Sequence, residues 1–98
     1  MTTYYSPSGT LIADAGNVRK VEDARTGDIY LEFDEDDIVR ENIKLKRSTT
    51  PNRYVAYIWW ISNDASRIRI SEQMKPVEYA DFKVGKWYIN KGDLEERA

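Results

Sequence analysis

Four carboxylates stand side by side at residues 34–37, Asp34-Glu35-Asp36-Asp37. Closely spaced carboxylates are the usual ligands of hard cations. With Asp34 in the first position of a calcium-binding loop, Asp36 falls in the third. The fifth, sixth and twelfth positions then hold Ile38, Val39 and Leu45, where such a loop needs an oxygen ligand, a glycine and a glutamate. The run therefore reads as a solvated acidic turn, and neither a metal site nor a cofactor is expected.

The same carboxylates suit a contact surface. Glu32, Asp34, Glu35, Asp36, Asp37 and Glu41 form an acidic segment able to meet a basic patch on another protein. Tyr54 and Trp60, on one face of an aromatic stretch, add the large ring area that interfaces favour. Mimicry of a nucleic acid fits less well: the net charge is only −2, and the carboxylates occupy one segment instead of tracking a length of duplex.

A second pattern has the opposite sign. Lys44 and Lys46 alternate in one stretch, and Arg67 and Arg69 in another. Cations interleaved with rings are what single-stranded nucleic acid needs, charges for phosphates and rings for stacking. If both stretches flank residues 53–61 in register, the four cations surround the face of Tyr54 and Trp60. Alternating Lys or Arg also solvates a strand and discourages edge pairing.

Composition bounds the rest. The chain of 98 residues has no Cys and no His. Disulfides and thiolate metal sites are excluded, and so are the usual general base near neutral pH and the commonest transition-metal ligand. The five glycines are scattered, without a phosphate-binding fingerprint. No nucleophile has a recognisable base. No enzymatic activity and no catalytic residues are expected. Neither a signal peptide nor a membrane span is visible, so the expected location is cytoplasmic and no membrane partner is expected. Small acidic chains without Cys and His are common among phage and mobile-element accessory or inhibitor proteins, which favours binding over catalysis.

The small net charge hides a division. Residues 22–41 carry nine acidic and two basic side chains, whereas residues 42–75 carry seven basic and two acidic ones. Such a split concerns partners and solubility, not fold.

These residues must be positioned by strands. The stretch 53–61, RYVAYIWWI, is the most apolar and aromatic of the chain, rich in residues that fit a pleated surface. Alternation puts Arg53, Val55, Tyr57, Trp59 and Ile61 on one face and Tyr54, Ala56, Ile58 and Trp60 on the other. Both faces are apolar, so a central strand, paired on both sides, is expected. Residues 43–47 and 67–70 alternate as its neighbours, giving a three-stranded meander over 43–70. Short strands are also expected at 4–5, 10–13, 18–21, 28–33 and 86–90, separated by turns at 6–9, 14–17 and 23–27. Ile29, Leu31 and Phe33 form the core face of 28–33. A helical turn is expected at 38–42, residues 77–82 read as either strand or helix, and 93–98 read as a frayed end.

One all-β domain spanning 1–98 follows, a small antiparallel barrel or sandwich with only short helical turns; the alternative is an α+β roll with a helix over 36–44. Trp59, Ile58, Leu31, Phe33, Ile68 and Ile70 are the expected core. The leading functional expectation is a non-catalytic protein-binding module, with another protein or a second copy of itself (a homo-oligomer) as partner. The alternative is a β domain binding single-stranded nucleic acid through Lys44, Lys46, Arg67 and Arg69.

Overall fold

The computed structural model describes residues 2–42, 44–47, 55–61, 67–73 and 78–97; for 44–47, 55–61 and 67–73 it describes the strands and their register. The fold is all-β. Among the described residues nine strands run in the order β1 (Thr2–Tyr5), β2 (Leu11–Ala15), β3 (Arg19–Glu22), β4 (Ile29–Phe33), β5 (Lys44–Arg47), β6 (Val55–Ile61), β7 (Arg67–Gln73), β8 (Trp87–Asn90) and β9 (Glu95–Arg97). They form two antiparallel sheets, β2-β1-β9 and β3-β4-β8-β7-β6-β5. The sheets stack without closing into a barrel, and among the described residues there is no α-helix. The alternative roll with a helix over 36–44 is thus not what forms. Two 3-10 turns, Glu35–Asp37 and Arg40–Asn42, flank Ile38, which instead bridges to Ala13 of β2. Four adjacent like charges at 34–37 oppose a longer helix, and the buried Ile38 side chain draws the chain onto the small sheet.

The turns follow from their residues. Between β1 and β2 the Gly9 N–H donates to the Ser6 carbonyl (2.9 Å), and the Thr10 N–H donates to the Ser6 hydroxyl (3.1 Å). Between β3 and β4 the Gly27 N–H donates to the Asp23 carbonyl (2.8 Å). Gly27 sits at φ 77°, a backbone conformation that side chains with a Cβ resist.

The central meander is present: β6 pairs with β5 on one side and β7 on the other. Arg53 and Tyr54, at its expected start, lie outside the described residues. The middle of the large sheet, however, is not β6. The chain returns as β8 between β4 and β7, and β4 with β8 carries the main core. Leu31, Phe33, Trp87 and Ile89 pack there against Tyr4, Ile12, Ala13 and Ala15 of the small sheet and against Ile38. The Tyr4 and Phe33 rings meet edge to face, centroids 5.1 Å apart. Each such buried side chain contributes about 1.5–3 kcal/mol of transfer free energy. The expected core positions Ile58, Trp59, Ile68 and Ile70 lie outside the described side chains.

Two expectations are corrected. The other face of β4 is not solvated: Tyr30 packs with Val21 and Tyr88 in a second cluster, covered by Ala80 and Phe82. And the end of the chain is not frayed through 97. Glu95–Arg97 pairs with β1, Thr3 opposite Arg97 and Tyr5 opposite Glu95. The Asn90 side chain, accepting from the Gly92 N–H (2.9 Å), turns the chain toward that strand through Lys91–Asp93.

Candidate functional site

Directly opposed residues in an antiparallel sheet share a face, and each step along a strand switches it. The registers of the large sheet therefore assign every strand residue to one of two faces. Leu31, Phe33, Trp87 and Ile89 mark the back face, toward the small sheet. Val21, Tyr30 and Tyr88 mark the front face.

Read outward from β4, one front row is Val21, Tyr30, Asn90, Arg69, Trp59 and Lys46; Asn90 stands next to Ile89, which opposes Ile70, and so falls level with Arg69. A second is Arg19, Glu32, Tyr88, Ser71 and Tyr57. A third joins Arg67, Ile61 and Lys44. Lys44, Lys46, Arg67 and Arg69 thus share one face of β5–β7. Positions 57 and 59 fall on the same face by register. Trp60 belongs to the row Leu45–Trp60–Ile68 on the back face. By register the four cation positions share the face of position 59, whereas the sequence grouped them with Trp60. Tyr54 lies outside the described residues.

The acidic segment divides. Glu32 is not a free contact residue. Its carboxylate, 12% exposed, accepts from the Arg19 guanidinium (Nε, 3.0 Å) and from the Tyr88 hydroxyl (2.9 Å). Burial pushes Glu32 up, but those hydrogen bonds outweigh it and hold the carboxyl below its ordinary range. Burial likewise pushes Tyr88 up, to about 12. Asp34, at the end of β4, pairs with Lys86, and Glu35 pairs with Arg40 (3.1 Å). Asp36 and Glu41 are exposed and Asp37 half-buried, and among the described residues these three have no ion-pair partner. The segment follows the small sheet: the Val39 N–H donates to the Ile12 carbonyl (2.8 Å), the Asn42 amide donates to the Leu11 carbonyl (2.9 Å), and the Arg40 guanidinium lies 5.3 Å from the Trp87 ring. Residues 35–42 therefore run along the small sheet, on the back side. Among the described residues no three carboxylates converge on a cation position.

The sequence reading missed the strap that bounds the front face. Residues 79–83, expected within a strand or helix at 77–82, form neither; they bend across β8, β4 and β3. The Ala24 N–H donates to the Tyr79 carbonyl (2.7 Å), Arg19 donates to the Asp81 carbonyl and carboxylate, and the Lys83 N–H donates to the Tyr88 hydroxyl. The intervening Ala80 and Phe82 point inward. Phe82 lies 4.3 Å from the Tyr88 ring centroid, tilted by 35°, and 5.6 Å from that of Tyr30. The alternation of Ala80 and Phe82 between polar neighbours is the only local signal of this cover. Comparison with known proteins finds no matching family model, no matching curated protein and no matching solved structure.

Proposed function

We propose that this protein is a non-catalytic binding module that receives single-stranded nucleic acid on the front face of β5–β7. The observation that carries the reading is the register, which brings Lys44, Lys46, Arg67 and Arg69 to one face with the aromatic positions Tyr57 and Trp59. Charges then meet phosphates while rings accept unstacked bases. The back-side course of residues 35–42 supports it, since carboxylates beside the cations would repel phosphate. The absence of His and Cys from the sequence favours binding over catalysis. Contacts with about four phosphates give a slope of roughly −3 in log K against log salt for a single strand. A salt titration with labelled oligothymidylate tests this. The double variant Lys46→Glu, Arg69→Glu should abolish the shift, and binding that survives it with an unchanged slope would reject the site.

The back face supports a second reading, a protein partner or a second copy. Trp60 shares that side with the exposed Asp36 and Glu41. Sedimentation of the wild type against Trp60→Ala with Asp36→Lys tests the self-association form. Equal behaviour of the two proteins would remove it.

A further inference from the structure

We infer that residues 79–83 are a fixed wall of the nucleic-acid site, which makes a bound strand run along β6 instead of across the sheet. This rests on the front-face reading above. The two front rows that hold Trp59 and Tyr57 continue through Arg69 and Ser71 to Tyr30 and Tyr88. Without a cover, four aromatic positions would make one platform reaching from β6 to β4, and bases stack on such rings without regard to sequence. Phe82 occupies the part over Tyr30 and Tyr88, in the place a base would otherwise take.

The strap is a wall and not a lid because of how it is held. Its backbone is tied at alternate residues, Tyr79 to Ala24, Asp81 to Arg19 and Lys83 to Tyr88. Arg19 is itself held by Glu32, and Tyr88 donates to the same carboxylate. Lifting the strap would break all three ties, bare the Val21–Tyr30–Tyr88 cluster and leave Arg19 and Tyr88 without their strap partners. The ligand is left with the seven-residue length of β6 and the cations on either side of it, a footprint at the short end of the range of about 4–16 nucleotides known for single-strand sites on β folds.

The test uses oligothymidylates of increasing length across that range. For the wild type, affinity should level off near the short end. In Phe82→Ala, which bares Tyr88 and Tyr30, it should go on rising with length. Hydrogen exchange of the Lys83 amide in the wild type supplies a readout that needs no variant, and its protection should be unchanged on binding. A footprint unchanged in a folded Phe82→Ala, or protection lost on binding, overturns the wall while leaving the front-face site in place. A wild type that binds no oligothymidylate at any length overturns the front-face reading, and the wall with it.

Discussion

The two halves of the large sheet share their rows and differ in what occupies them. In the β3–β4–β8 half both faces are covered, the back by the small sheet and the front by the 79–83 strap. Its buried Asp23 and half-buried Glu32 are neutralised within the fold by Arg25 and Arg19. In the β5–β7 half the row of Tyr30 continues to Arg69, Trp59 and Lys46, and a further row on that face holds Arg67, Ile61 and Lys44. One sheet thus passes from a half that satisfies its polar groups internally to one whose cation positions we propose for an outside anion. Aromatic positions occur on the front of both halves, with Asn90, Arg69 and Ser71 between them. The change lies in the charges and in the cover.

The largest expected effect that separates the halves is on stability. Phe33, 1% exposed, should lose about 3–5 kcal/mol on replacement by Ala, read from the denaturant midpoint. Trp59→Ala, at a position assigned here to ligand, should cost much less and abolish oligothymidylate binding instead. A loss in Trp59→Ala as large as in Phe33→Ala would place that ring in the core and erase the division. Next in size, Tyr88→Phe removes a hydroxyl that serves Lys83 and Glu32. It should cost about 1–3 kcal/mol and speed hydrogen exchange at Lys83, without weakening the cation rows.

Titration tests the covered half, where Glu32, Asp23 and Tyr88 depart from their ordinary values. Glu32 and Asp23 are held below their ordinary values, burial opposing but Arg19 with Tyr88, and Arg25, prevailing. Their contribution is present above the unfolded carboxyl range and is lost as pH falls through the folded values. Tyr88 has the opposite sense. It is raised from 10.0 to about 12, so stability should fall as pH climbs between those values, where the unfolded chain ionises first. Flat denaturant midpoints across both windows would show that the Arg19–Glu32–Tyr88 network is not formed. The smallest effect is at the boundary between strand ends: Lys86→Ala breaks an exposed pair with Asp34 and should leave the melting temperature unchanged within error.

Much of the β framework was legible in the residues. The alternation of Leu31 with Phe33 and of Trp87 with Ile89, and the Ser6-Pro7-Ser8-Gly9 and Asp23–Gly27 turns, all act locally. The β5–β6–β7 meander was legible because each connection is short. What was hidden is non-local. Tyr30 and Glu32 look like the solvated face of a half-buried strand until residues 79–83 fold over them from some 50 positions away. Glu32 looks like a contact residue until Arg19 is seen opposite it. Trp59 and Trp60 are adjacent, equally aromatic and indistinguishable by composition. Only the pairing of Lys46 with Trp59, one residue from the alternative, decides which ring keeps company with the cations.

The place of β8 between β4 and β7 has a consequence for biosynthesis. As the chain leaves the ribosome, β3–β4 and β5–β7 emerge as separate sheets, each with an open edge. No hydrogen-bonded ladder joins them until residues 87–90 arrive and zip to both sides at once. The small sheet waits longer still, for Arg97 to reach Thr3. A nascent chain that has not yet released residues 87–90 therefore holds two sheets with facing edges unpaired, and that interval is its vulnerable one.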